Sequence, residues 1–312
     1  MIMSKKIIFM GTPIFAVPIL KSLHFNGYPI TVVYTQPPKK SYRGQKINKS
    51  PIQDISENLN IKFRCPQKLK DNLQEYEFLK KIDADLSIVV AYGQIIPKEF
   101  LNLTKKGFFN IHASILPRWR GAAPIQRSIM NLDEEIGISI MKINEHLDSG
   151  PISNIYKIKL NKKLNAMQVS EKLSLLAANK ILDNVKNILD GKSKFIDQDH
   201  SIATYAKKII KSEGQINWND DALMIIGKIN GLYPFPGAFF NFNGERYKIL
   251  RAEIGHGNGK NGEVISDGLE IGCGDNKSIK VLEIQREGKK VQKIHEFLPG
   301  SQIKKGSIIH YV

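Results

Sequence analysis

The sequence predicts an α/β protein in two parts: a mostly parallel, Rossmann-like sheet covered by helices, then a small β-barrel of OB-like type. Three observations lead there. Over the first two-thirds of the 312 residues, apolar strand-like runs alternate with helix-like segments, the pattern of a sheet covered on both faces. The run DLSIVVAYG (85–93) is almost continuously apolar, as expected of a parallel strand buried on both sides. From residue 209 the texture changes to short β-like runs split by Gly and Asn turns.

The elements follow in order. KIIFMG (6–11) is a first strand, and Gly11-Thr12-Pro13 turns the chain. Pro13 suits the first turn of a helix reaching Asn26, where its fixed φ helps and its missing N–H is not needed. ITVVYTQ (30–36) is a second strand, followed by a Pro/Gly-marked loop rich in Lys. Ser50 and Pro51 read as N-cap and first position of a helix in PIQDISENL. GFFNIHAS (107–114) and GISIMKIN (137–144) are further strands, separated by a Pro/Arg/Gly loop and a helix near Ile125–Asn131. Asn165 to Leu189 repeats apolar residues every three to four positions and is a helix, ended by Asp190-Gly191. Residues 191–208 are polar and aperiodic, and read as a linker between a domain over 1–190 and another over 209–312. In the latter, one helix-like piece (Asp220–Gly231) precedes AFFNFNG, YKILRAEIG, GEVISDG, LEIGCG and SIKVLEIQ, the strands of the barrel.

Composition narrows the function classes. With 42% hydrophobic and 24% charged residues the chain is neither disordered nor fibrous. Its two cysteines, Cys65 and Cys273, lie outside any CxxC or Cys/His spacing, which argues against a disulfide framework and a structural zinc site. The opening apolar run mimics a secretion signal, but Gly11-Thr12-Pro13 and Pro18 interrupt it and no small-residue cleavage site follows. No stretch approaches the ~20 apolar residues of a membrane span. The expectation is a soluble, cytoplasmic protein without a metal. Net charge is +16, and residues 1–70 alone hold ten Lys and two Arg against Asp54 and Glu57. Thr35 to Ser50 carries Lys39, Lys40, Arg43, Lys46 and Lys49 and no acid. A general excess of Lys does not explain five bases in one loop; a polyanionic partner does.

In a sheet of this kind ligands bind beyond the carboxyl ends of the strands, which directs attention to Asn110-Ile111-His112 and Asp148. Strand alternation puts Asn110 and His112 on one face. An amide donor beside an imidazole suits acyl transfer to an amine. The amide can stabilise a developing oxyanion, typically by about 2.7–4 kcal/mol, and the imidazole can handle the amine's proton, worth about 10²–10⁴-fold. Asp148 is placed to orient or tune that imidazole. From spacing alone, a structurally satisfied strand histidine and a helix-capping aspartate are the better reading. Gly257-Asn258-Gly259-Lys260-Asn261-Gly262 formally matches GxGxxG, but a strand follows it instead of a helix, so it reads as a hairpin loop. A nicotinamide-dependent oxidoreductase therefore lacks its phosphate-binding loop.

GFFNIHASILPRWRGAAPIQRSI (107–129) with LDSG at 147–150 closely resembles the folate-dependent formyltransferases, whose shared signature is Asn-x-His, an SxLPxxxG loop and a distal Asp before Ser/Thr-Gly. IIFMGTPIFAVPIL, TQPP with RGQK, VVAYGQIIPKEFL, RGAAPIQ and NGLYPFPGAFF resemble the members of that family that act on Met-tRNA. The resemblance implies transfer of the formyl group of 10-formyltetrahydrofolate to the α-amine of methionine on initiator Met-tRNA. It makes Asn110 the oxyanion donor, His112 the group that polarises the formyl carbonyl and manages protons, and Asp148 its tuner and acceptor of the amine proton. It assigns Ser114, Ile115, Leu116 and Pro117 to folate binding, with the pterin near VVAYG. It sends the basic loop, Arg43 with Lys39, Lys40, Lys46 and Lys49, to the acceptor end of the tRNA, where phosphate contacts give affinity and salt dependence. It implies a tRNA-binding second domain and a monomer. Two features depart from it: residues 206–312 hold sixteen bases against twelve acids, a surplus of only four, and the ending FLPGSQIKKGSIIHYV runs on past its Pro-Gly. The nearest rival, an amino-sugar nucleotide formyltransferase, shares the trio but has no use for the basic loop. A catalytically silent RNA-binding protein has no use for the trio.

Overall fold

The computed structural model describes residues 5–41 and 46–311. The chain divides into two compact units. The first takes in the chain up to Gly121 with Gly137–Ile158 and Ser170–Tyr205; the second takes in Ala122–Ile136, Lys159–Val169 and the chain from Ala206 on.

In the first unit, seven strands form one sheet: β1 (Ile7–Gly11), β2 (Ile30–Tyr34), β3 (Phe63–Arg64), β4 (Leu86–Val90), β5 (Phe108–His112), β6 (Glu135–Lys142) and β7 (Ile152–Lys159). Their spatial order is β7-β6-β5-β4-β1-β2-β3. The ladders joining β1 to β5 are parallel, and β6 runs antiparallel to β5. Every residue of β1 and β4 is buried, which is why both read as unbroken apolar runs. The order reverses between β1 and β4, so a crevice is expected beyond their carboxyl ends.

Local chemistry sets the element boundaries. The first helical segment is a 3₁₀ turn, Ile14–Ala16, followed by α1 (Val17–Phe25) with Pro18 at its start. β2 stops at Tyr34, two residues short of the expected end. There Gln36 N–H turns away to Thr12 Oγ1, and Thr35 Oγ1 pairs with Ser50 Oγ at 2.6 Å. Ser50 caps α2 (Pro51–Asn58), accepting from Gln53 N at 2.9 Å. The basic loop contains a short antiparallel ladder, Lys39–Ser41 against Lys46–Asn48. α3 (Leu73–Ile82), β3 and the edge strand β7 were not foreseen.

The long helix expected from periodicity, α5 (Ala166–Leu189), lies mostly in the first unit, from Ser170 on. In the second unit, α4 (Pro124–Met130) packs against α6 (Ala222–Gly231). The α4–α6 approach is close because Gly227 and Gly231 lack side chains: an added Cβ would fall 2.9 Å from Leu132 and 2.6 Å from Met130. Six strands form an antiparallel sheet: β8 (Ala238–Phe242), β9 (Glu245–Ile254), β10 (Val264–Ser266), β11 (Glu270–Gly272), β12 (Ser278–Arg286) and β13 (Gln292–Lys293). Their order is β8-β9-β12-β11-β10, with β13 on β12, around a core that includes Trp218, Ile225, Phe240, Tyr247 and Ile284.

The chain past Gly300 belongs to this core. Ile303 and Ile309 are buried in it, Val264 N–H donates to Ser307 O, and Ile309 N–H to Gly262 O at 2.8 Å. Gly262 lies at φ +79°, and a Cβ there would meet Ile309 O at 2.2 Å, so only glycine fits under the tail. The Gly257–Gly262 loop joins β9 to β10. Its Gly257 N–H is taken by the Glu270 carboxylate at 2.7 Å, which also accepts from Ser278 Oγ. A group of the chain's own occupies the place an anion would need.

Candidate active site

β5 is the origin of the site. Its ladder with β6 pairs Asn110 with Met141 and His112 with Ser139, and both side chains emerge near the carboxyl end of the parallel sheet. β6 ends at Lys142, and the return loop carries Asp148 in the left-handed region at φ +44°. Aspartate is among the few residues besides glycine that tolerate this conformation. The next glycine is obligatory: a Cβ on Gly150 would lie 1.8 Å from Lys142 O. This turn brings the Asp148 carboxylate back to β5. Oδ1 accepts from Asn110 Nδ2 at 3.3 Å, and Oδ2 accepts from Gly121 N–H at 2.9 Å. The three residues singled out in the sequence thus form one cluster, although 38 residues separate Asn110 from Asp148.

The protonation pattern of His112 follows from its partners. The ring is 6% exposed, with Nε2 2.8 Å from Trp119 O. A carbonyl only accepts, so Nε2 carries a hydrogen. Nδ1 then faces Asp148 Oδ2 at 3.6 Å, longer than a direct hydrogen bond. Trp119 stands in the left-handed region at φ +62°, which turns its carbonyl toward the imidazole, and its N–H is anchored on Thr204 Oγ1 at 2.9 Å.

Of the segment assigned to folate, Ser114 and Leu116 have buried side chains, while Ile115 and Pro117 are half-buried. Ser114 Oγ donates to Arg118 O at 2.7 Å; Ser139 Oγ accepts from Leu116 N–H and donates to Ser114 O. Ser114 therefore braces the loop from within. Past β4, Ala91 and Gly93 are exposed and both left-handed, and Thr12 Oγ1 donates to Tyr92 O at 2.7 Å. The Tyr92 side chain is buried below; burial, and secondarily the charge of Glu75, push its phenol up, so it stays neutral. Glu75, buried beside it, accepts from Tyr34 and from Arg64.

Among the basic residues, Lys39 is exposed and Lys49 is ion-paired with Glu57 at 2.7 Å. Lys40 and Lys46 are placed by their backbone ladder only, and Arg43 lies outside the described residues. Among the described residues no group of three or more His, Cys, Asp or Glu is arranged for a metal, and no helix is long and apolar enough to cross a membrane. The sequence reading missed the Trp119 carbonyl and the Gly121 N–H, because backbone groups carry no residue-type signature. It also missed Gln198, which lies in the aperiodic 191–208 stretch.

The chain is similar to known proteins over nearly its whole length. Residues 5–185 match the formyl transferase family and residues 208–302 match the formyl transferase C-terminal domain, so the tail beyond Gln302 lies outside the matched region. The chain is 67% identical over 307 residues to methionyl-tRNA formyltransferase of Pelagibacter ubique, covering 98% of this chain and 99% of that protein. It is 40% identical over 310 residues to the enzyme of the same name from Chelativorans sp., again covering 98% and 99%. A sugar 3N-formyl transferase shares the fold at a TM-score of 0.68 and 19% identity, over 92% of this chain and 99% of that one. With the signature cluster assembled at the end of β5 and full-length identity of this order, the chain belongs to the methionyl-tRNA formyltransferase family.

Proposed function

We propose that this protein transfers the formyl group of 10-formyltetrahydrofolate to the α-amine of methionine on initiator Met-tRNA, with Asn110, His112 and Asp148 as its catalytic residues. The observation that carries the reading is the convergence of an amide donor, an imidazole of defined tautomer and a carboxylate at one strand end. Formyltetrahydrofolate supplies a formyl carbon attached to a nitrogen leaving group. The residues present fit it: Ala91 and Gly93, exposed and left-handed past β4, suit the edge of a flat pterin, and the Ser114–Pro117 segment follows the end of the neighbouring strand β5.

Asn110 gives one N–H to Asp148, which leaves the second for the formyl oxygen as negative charge develops there. Asp148 accepts the proton that the attacking amine loses and shares it with His112 Nδ1, which it faces, for return to the departing nitrogen. Asp148 stabilises the imidazolium in between. The amine must be uncharged to attack, a small penalty near neutral pH for an α-amino group with a pKa of about 7.7. Lys39, Lys40, Arg43, Lys46 and Lys49 contact tRNA phosphates, Lys49 by exchanging its Glu57 partner. In this reading residues 1–190 are the formyltransferase domain, 209–312 bind tRNA backbone, 191–208 join them, and the enzyme works as a cytoplasmic monomer.

The direct test offers initiator Met-tRNA, elongator Met-tRNA and an amino-sugar nucleotide in parallel, each with 10-formyltetrahydrofolate. Formylation of the initiator alone is expected. Formylation of the sugar alone would keep the catalytic trio and overturn the role given to the basic loop.

A further inference from the structure

Asp148 is held by its backbone as well as by its carboxylate. Its carbonyl oxygen accepts from Gln198 Nε2 at 3.0 Å, and the same nitrogen donates to Gly150 O at 2.8 Å. At its other end, Gln198 Oε1 accepts from Arg120 Nε at 3.0 Å and Nη2 at 2.8 Å. These partners admit one orientation of the amide. A guanidinium only donates and a carbonyl only accepts, so a flipped Gln198 would set N–H against N–H and oxygen against two oxygens. Both hydrogens and both lone pairs of the amide are used, and Gln198 is buried.

Arg120 is buried too, at 2% exposure, and its partners here are neutral: Gln198 and, through Nη1, His200 Nδ1 at 3.2 Å. Its function is therefore orientation more than charge pairing. It is also the chain neighbour of Gly121, whose N–H holds Asp148 Oδ2. Ile152 and Ile196 exchange backbone hydrogen bonds of 2.8 and 2.9 Å just beyond, which keeps the 196–198 stretch against the start of β7. One buried amide thus ties together the two segments, 120–121 and 148–150, that define where the carboxylate sits.

We infer that Gln198, locked by Arg120, is a positioning residue for formyl transfer: it holds the left-handed turn at Asp148 so that Oδ2 stays opposite His112 Nδ1. The inference rests on the reading of Asp148 as a catalytic group. The turn needs such a clamp, because φ +44° is a sparsely populated conformation for a residue with a side chain. Released from both hydrogen bonds, the 148–150 peptides relax and the carboxylate swings away with them. Misplacement of a reacting group by ~1 Å costs on the order of a hundredfold in rate.

Two variants test it. Gln198→Glu keeps an acceptor for Arg120 and removes both N–H donors; Gln198→Ala removes the amide altogether. In each, kcat should fall by about tenfold to a hundredfold, while KM for Met-tRNA and for 10-formyltetrahydrofolate changes by less than about twofold. In an Asp148→Asn background the same substitutions should add less than about a twofold further loss, because the effect runs through Asp148. An unchanged kcat in both variants would overturn the inference. So would an equal loss in the native and Asp148→Asn backgrounds, which places the role of Gln198 elsewhere while leaving Asp148 catalytic. Full activity of Asp148→Asn itself would overturn both readings together.

Discussion

Asn110→Asp preserves the shape of a side chain while inverting its chemistry. In the native site Asn110 Nδ2 lies 3.3 Å from Asp148 Oδ1, so the substitution sets two carboxylates at that distance. At an effective dielectric of about 20, two unit charges so placed repel by about 5 kcal/mol, well above thermal energy. The pair must retain a proton or Asp148 must move off the Gly121 N–H, and in either case the pairing with His112 is spoiled. On the proposed role of Asn110 the oxyanion donor disappears as well, a loss that alone costs about 10²–10³-fold. Asn110→Ala removes the donor without the repulsion. Single-turnover formyl transfer at neutral pH should therefore fall about 10²–10³-fold in Asn110→Ala and further in Asn110→Asp, with Met-tRNA binding near normal in both. Equal losses in the two variants would refute the Asn110–Asp148 pairing in the working enzyme. Activity of Asn110→Ala within about threefold of the parent would refute the oxyanion role.

Other consequences are as direct. Asp148→Asn should cut turnover severely and leave tRNA binding intact; a parallel loss of both in a filter-binding assay would count against its catalytic assignment. Ile309→Ala should lower stability by about 2–5 kcal/mol in thermal or urea unfolding, since Ile309 is buried in the second unit's core, and an unshifted transition would mean the tail does not contribute. Burial pushes the Glu75 carboxyl up, but hydrogen bonds from Arg64 and Tyr34 outweigh it and hold the group below the usual glutamate range. A depressed pKa contributes stability above the unfolded value, and that contribution is lost as pH falls through the folded one. Glu75→Gln should thus lower stability at neutral pH and flatten its decline below about pH 4.3; an unaltered acid limb in melting curves would contradict this. Replacing Arg43 and Lys46 by Ala should weaken tRNA use and reduce the salt slope by about 0.9 for each phosphate no longer neutralised, whereas an unchanged slope would remove the loop from the interface.

Much of the fold was legible because burial writes a period into the chain. β1 and β4 are buried at every position and read as apolar runs, and α5 shows its three-to-four spacing. β7 was not legible, since an edge strand largely open to solvent needs no alternation of apolar residues. α3 fully buries only Glu75 and Leu79, with Tyr76, Phe78 and Ile82 half-buried against the core, and a charged residue in the buried stripe blurs its apolar period. In the 191–208 stretch the order around Ile196 and Gln198 was not legible, because it comes from a backbone bridge and a glutamine amide, which leave no hydrophobic trace.

By itself the sequence determined that Asn110 and His112 share a face and that a distal Asp148 was available, and it pointed to the strand ends as the place to look for chemistry. These follow from strand alternation and from residue types. Only the tertiary structure decided which nitrogen of His112 bears the hydrogen, through the Trp119 carbonyl, and how the carboxylate of Asp148 reaches it, through a left-handed turn. The physical reason is that hydrogen bonds to backbone groups depend on where the main chain goes, and residue identity alone does not encode that path.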